Sequence, residues 1–222
     1  RLVDFAKIRT TRLIEGRKIS GMVLEASAFE QLMRQTGVRA GQAIVIASTG
    51  NTIEDFDGAA RLYWTLKYYG AQEIAILDGG YVRWLDEGRP SEDMPPAVTA
   101  GDWAASAPRD DLFADTSEVQ AAMSSGLQLV DARPLAFFFG LTKRPAVAAY
   151  GHIPGSRVLP TDLRAKPQGS GFRYLAADDY RRALAGMQIE TDQPTITYCN
   201  TGHMAAGAWF ILSEVLGNPA VA

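Results

Sequence analysis

The chain alternates between short β-prone runs and stretches whose apolar residues recur at helical spacing. Residues 43–47, 73–77, 127–130 and 195–198 are dominated by Ile, Val, Leu, Ala and Thr and predict short strands, the first of them buried. Residues 26–36 place Phe29, Leu32 and Met33 on one helical face, with Gly37 as the stop. After a polar loop over 48–57, residues 58–69 predict a second helix ended by Gly70. Residues 81–87 predict a short helix after the turn at Asp78, Gly79 and Gly80. Residues 115–124 open on Asp115 and carry Glu118 three positions later, the pattern of a capping box. Residues 176–187 and 205–216 predict two more helices, the last closed by Gly217. Residues 1–18 mix small apolar groups with basic residues and predict mostly irregular chain, and 137–150 a long, partly basic loop. Strands separated by helices in this way predict an α/β fold, a mainly parallel sheet flanked by helices.

Residues 89–111 change character, with Pro90, Pro95, Pro96 and Pro108 among scattered Ala, Ser and Asp, and predict a linker or wrapping segment. On either side of it the pattern repeats. Residues 42–48 align in register with 193–199, which sets Ser48 opposite Cys199. Gly70 and Gly217 close corresponding helices, and Arg1-Leu2-Val3 resembles Arg157-Val158-Leu159. The expected organisation is a first unit over 1–92, a linker over 93–110 and a second unit over 111–222. On this register the first unit lacks its opening strand and the second a counterpart of residues 78–84, so both ends are expected to be trimmed.

Composition narrows the class. At 222 residues, 47% hydrophobic and 21% charged, the chain is ordinary for a globular protein of one or two domains. A net charge of −3 gives no footprint for nucleic acid, and no apolar run approaches the roughly 18 residues of a spanning helix. The chain begins at Arg1, so a missing secretory leader carries no weight. One cysteine excludes an internal disulfide and a cysteine-rich zinc site.

That cysteine, Cys199, stands where the strand 195–198 ends and a polar turn curls into a helix. A helix N-terminus presents backbone N–H groups and a positive dipole end, which favours the thiolate, the reactive form. A lone cysteine is more often a small buried hydrophobe. Here the apolar flank gives way to Asn200, Thr201 and Gly202, a mouth rather than a core.

The stretch resembles the active-site loop of the rhodaneses, sulfurtransferases that carry sulfur as a cysteine persulfide. In that family the nucleophile follows a buried strand and opens a six-residue loop, here Cys199 to Met204. Upstream, Asp131-Ala132-Arg133 at a strand end resembles the family's Asp-x-Arg, and residues 151–156 its Gly-His-Ile-Pro-Gly-Ser turn. The resemblance, to the tandem-domain thiosulfate and 3-mercaptopyruvate sulfurtransferases, implies two rhodanese-like domains facing each other. It implies a silent first domain: Ser48 has no evident base, and Glu54, Asp55 and Asp57 beside it are expected to repel an anionic donor. That domain then walls one side of the cleft.

The resemblance implies Cys199 as the catalytic residue. Asn200, Thr201, Gly202, His203, Met204 and Ala205 form the loop, their N–H groups aimed at the sulfur. His203 either favours the thiolate as an imidazolium or points outward to solvent. Met204 and Trp209 are expected to pack. Asp131 and Arg133 are expected to be a structural ion pair, and His152 a structural residue of the turn. Lys143 and Arg144 are candidates to bind the donor's charge. The loop sequence fits neither the thiosulfate nor the mercaptopyruvate pattern, so both donors stay open. The partners implied are a small anionic sulfur donor and a thiol or cyanide acceptor, with no cofactor, metal, nucleic acid or membrane. The protein is expected to be a monomer in the cytoplasm, with the periplasm as alternative. Phosphatases of the same fold need Cys-x5-Arg, and that position is Ala205. A non-catalytic sulfur-binding or regulatory module is the competing class.

Overall fold

The computed structural model of the chain describes residues 2–14, 16–94 and 97–222. The expectations that rest on Arg1, Pro95 and Pro96 lie outside the described residues. The first departure from the sequence pattern is at the start. Residues expected to be irregular form an antiparallel hairpin of β1 (Arg9–Ile14) and β2 (Arg17–Val23), with a register shift at Thr10/Thr11. Its outward residues are polar or only partly covered, so it carries little of the alternation that marks a half-buried strand.

From α1 (Ala26–Gln35) onward the predicted order holds. Phe29 and Met33 are buried, and the chain turns at Thr36. β3 (Ile44–Ile46) pairs in parallel with β4 (Ile74–Ile76). β3 was expected to be buried, yet Val45 is 65% exposed, because β4 is its one partner strand among the described residues. α2 (Ile53–Tyr68) starts five residues before the expected helix, within the supposed loop. Thr52 accepts from the Asp55 N–H and Asp55 accepts from the Thr52 N–H, a capping box that nucleates the extra turn. α3 (Gly80–Asp86) follows the Asp78–Gly79 turn. Residues 97–109 wrap back over α1 and α2: Trp103 is buried against Phe29, and the Arg109 N–H donates to Tyr68 O.

α4 (Thr116–Ser125) has the predicted box, Asp115 with Glu118. β5 (Gln128–Asp131) lies between β6 (Arg157–Val158) and β9 (Thr195–Tyr198), all parallel. The loop after β5 begins with a short helix, α5 (Leu135–Phe138), and the antiparallel hairpin β7 (Lys166–Gln168) with β8 (Gly171–Arg173) precedes α6 (Ala177–Gly186). α7 (His203–Phe210) runs into one π-helical stretch over Ile211–Val215.

The two parts of the chain interlock reciprocally. The β1–β2 hairpin reaches the end of β9: a Cβ on Gly21 would fall 2.4 Å from Thr201 O. The β7–β8 hairpin reaches the end of β3 in the same manner: a Cβ on Gly171 would fall 2.5 Å from Gly50 O, and the Phe172 N–H donates to that carbonyl. Between them α2 packs on α7. Tyr63 hydrogen-bonds Glu214 and packs edge-on against Phe210, while Lys67 pairs with the same Glu214 at 2.6 Å. One core runs through both parts, from Phe29 and Trp64 to Trp209 and Leu212.

Candidate active site

β9 is buried at Thr195 and Ile196 and held on both sides, by β5 and by the chain at Ala220 and Ala222. It delivers Cys199, half-buried, at its C-terminal end. Three residues on, Gly202 turns the chain with φ of 75°, which favours glycine, and α7 begins at His203. The turn aims the Gly202 N–H at Cys199 Sγ, 3.1 Å away. Of the N–H groups expected to face the sulfur, Gly202 supplies the one hydrogen bond to Sγ among the described residues. Ala205 and Met204 set the helix in the core, and the Thr197 hydroxyl donates to Ala205 O. Asn200 and Thr201 are partly exposed, and Trp209 is buried with its indole N–H donated to Val221 O, a packing residue as expected.

Asp131, Arg133 and His152 are tied into the chain around β9. Arg133 grips Asp131 with contacts of 2.6–3.0 Å and also donates to Gly151 O. His152 stacks on Phe138 at 3.8 Å and contacts Phe138 O through Nδ1. The Tyr198 hydroxyl accepts the Ile153 N–H and meets the Ser156 hydroxyl. These contacts clamp the end of β9 from the side away from α2.

Two expectations about charge change. His203 is not an imidazolium: burial pushes its pKa down to about 4, so the ring is neutral at pH 7. The ring packs edge-on against Phe5 at 4.6 Å and lines a cavity of about 730 Å³ walled by α1, β3 and α2. Two of the three carboxylates near Ser48 are engaged elsewhere. Asp55 is spent in the α2 cap. Asp57 is buried and paired with Arg164 Nη2 at 2.9 Å, where burial raises its pKa to about 7. Lys143 donates to Val147 O and lies over the Tyr150 ring, within its own loop, and Arg144 is exposed. No hydrogen bond or ion pair among the described residues ties either to residues 199–205.

The cation that does reach the loop is one the sequence pattern hid. Arg61 of α2 is 7% exposed. Its Nη1 donates to Gly202 O at 3.3 Å and its Nη2 to Gly21 O at 3.0 Å, with the guanidinium over the Trp64 ring. The signal in the sequence was a cation within a largely apolar stretch, between Ala60 and Trp64.

A strand that ends in a half-buried thiol, with a turn N–H on its sulfur and a helix behind it, suits a nucleophile that stores a transferred group. Comparison with known proteins gives the family. The rhodanese-like domain family matches residues 115–222. A Haloferax volcanii protein named "Putative thiosulfate sulfurtransferase" is 32% identical over 200 residues, covering 88% of this chain and 68% of its own. The sulfur carrier protein TtuD of Thermus thermophilus is 27% identical over 206 residues, covering 87% and 69%. The structure of SseA from Escherichia coli, described among 3-mercaptopyruvate sulfotransferases, superposes with a TM-score of 0.81 at 24% identity, over 99% of this chain and 78% of that one. The chain belongs to the rhodanese family and is a sulfurtransferase, with the mixed α/β rhodanese fold. No helix among the described residues is long and apolar enough to cross a membrane.

Proposed function

We propose that this chain moves a sulfane sulfur from thiosulfate or 3-mercaptopyruvate to cyanide or a thiol through a persulfide on Cys199. The observation that carries the reading is the Gly202 N–H on Cys199 Sγ at the start of α7. The thiolate attacks the donor's outer sulfur. With thiosulfate the S–S bond breaks and sulfite leaves with the electron pair. With mercaptopyruvate the C–S bond breaks and the carbon takes a proton from solvent, giving pyruvate. Cyanide then attacks the outer sulfur of the persulfide, forms thiocyanate and returns the thiolate. Asn200 to Ala205 form the cradle of that sulfur anion.

The same reading takes the chain as two rhodanese-like domains, over 1–92 and 111–222, joined by a linker over 93–110. The first is non-catalytic, with Ser48 at the place of Cys199. Its support is the paired register of the sequence and the reciprocal hairpin contacts at Gly21 and Gly171. The chain works as a monomer in the cytoplasm or periplasm. Lys143 and Arg144 attract the anionic donor at a distance, since Lys143 is held in its own loop. Steady-state kcat/KM with each donor tests these assignments. Cys199→Ser abolishes transfer and Ser48→Ala leaves it near wild type. The Lys143→Ala/Arg144→Ala variant loses a few-fold with both donors, more so at low salt. Loss of most activity in Ser48→Ala overturns the assignment of the silent domain.

A further inference from the structure

We propose that Arg61 is the positioning residue for Cys199: from α2 it holds the Gly202 turn and serves as the buried counter-cation of the sulfur anion. The proposal rests on Cys199 being the sulfur-carrying nucleophile.

Three observations carry it. First, the guanidinium is built into the site. It bridges Gly202 O and Gly21 O, and so joins α2, β2 and the turn at one point. A Cβ on Gly202 would fall 2.4 Å from Arg61 Nη1, so the turn and the cation are fitted to each other. Second, one residue links cation and sulfur: Arg61 donates to the carbonyl of Gly202, and Cys199 Sγ accepts the N–H of the same residue. The two groups lie on successive peptide units, so Arg61 acts by fixing the orientation of the turn, which holds the N–H on the thiolate. Third, no ion pair joins Arg61 to a carboxylate among the described residues, although a buried charge without a partner is costly. The acid that favours its charge is Cys199.

The other charged groups around the thiol do not take this place. Arg9 of β1 opposes the charge on Arg61 and sits over the Phe5 ring. His203 at the start of α7 is neutral. Asp57 of α2 and Arg164 satisfy each other beside Gly207. Glu54 lines the same cavity as His203. A buried guanidinium that no carboxylate pairs among the described residues, set across one turn from a thiol, is matched to a residue that is anionic through the cycle, as thiolate and then as persulfide.

The test uses the single cysteine. The rate of alkylation by iodoacetamide is followed from about pH 5 to about pH 10 for the whole chain, Arg61→Gln and Arg61→Lys, with circular dichroism to check folding. The wild-type midpoint is expected below the ~8.5 of a free thiol. Arg61→Gln is expected to move it up by about one unit and to lower kcat/KM by up to about tenfold, the full factor appearing at a pH below both midpoints. Arg61→Lys keeps the charge and loses the fork. It should hold the midpoint within a few tenths of a unit while kcat falls. A folded Arg61→Gln with the wild-type midpoint overturns the proposal. Should Arg61→Gln fail to fold, the wild-type midpoint decides: a value at or above that of a free thiol overturns it, and a lower value held in Arg61→Lys supports it. Alkylation does not need sulfur transfer. Activity surviving in Cys199→Ser therefore sinks the nucleophile assignment separately, whatever the midpoints show.

Discussion

His203 shows how burial changes the meaning of a residue next to a reactive thiol. Four positions after Cys199, the sequence leaves it open between an imidazolium that favours the thiolate and a ring that points out to solvent. Between Phe5 and Gly58, which a built Cβ would bring within 3.7 Å of Cε1, the ring is largely shielded from the water that a charge needs. Its folded pKa of about 4 lies below the ordinary 6.5, so the unfolded chain takes up the proton first. The neutral ring's contribution to stability is whole above about pH 6.5 and is lost as pH falls toward 4. His203→Gln should therefore shrink the difference in unfolding free energy between neutral pH and about pH 4.5, as read by urea titration at both. The same variant should leave the pH midpoint of Cys199 alkylation in place. A midpoint moved by a unit would restore the charged role.

At the scale of elements, what tertiary contact imposes separates from what the sequence states. β9, α1, α4 and α6 were legible to within a residue or two, because their apolar spacing, the Asp115 box and the Gly37 stop all agree. The early start of α2 was missed because its first turn is polar and held by a cap rather than by apolar periodicity. The β1–β2 and β7–β8 hairpins were missed for a different reason. Residues such as Arg17, Lys18, Lys166 and Gln168 are exposed, and the strands are fixed by what they lean on. Cys199 and its loop were legible, since a strand, a turn glycine and a helix occur in one short stretch. Arg61 was not, because its partner Gly202 lies far along the chain. Two glycines of the first hairpin test what it leans on. Gly16 at φ 77° has nothing near a built Cβ, while Gly21 at φ 83° backs onto Thr201. Each Ala substitution stores about 1–2 kcal/mol of left-handed strain. Only Gly21→Ala should also cost sulfur transfer, by about tenfold in kcat/KM, with Gly16→Ala as the control.

For the whole molecule, the interface between the two parts of the chain holds a fully buried ion pair among its apolar contacts. Asp57 and Arg164 meet beside Gly207, where a Cβ would fall 1.9 Å from Asp57 Oδ1. Arg164 also donates to Ala132 O and to the Thr161 hydroxyl, so it ties α2 to the end of β5. Arg164→Met leaves a buried carboxyl unpaired and should cost about 3–5 kcal/mol in urea unfolding. Adding Asp57→Asn should return part of that loss, a non-additivity that two independent sites would not show. The interlock sets a demand on function, because the turn beside Cys199 is contacted by Gly21 and Arg61 from the first part of the chain. The sulfur chemistry itself has the most direct test in intact-chain and peptide mass spectrometry, after incubation with thiosulfate and no acceptor. The account predicts a single added sulfur on the peptide that holds Cys199, lost on adding cyanide with release of thiocyanate. An unmodified Cys199 under turnover conditions, or turnover that survives Cys199→Ser, would contradict it.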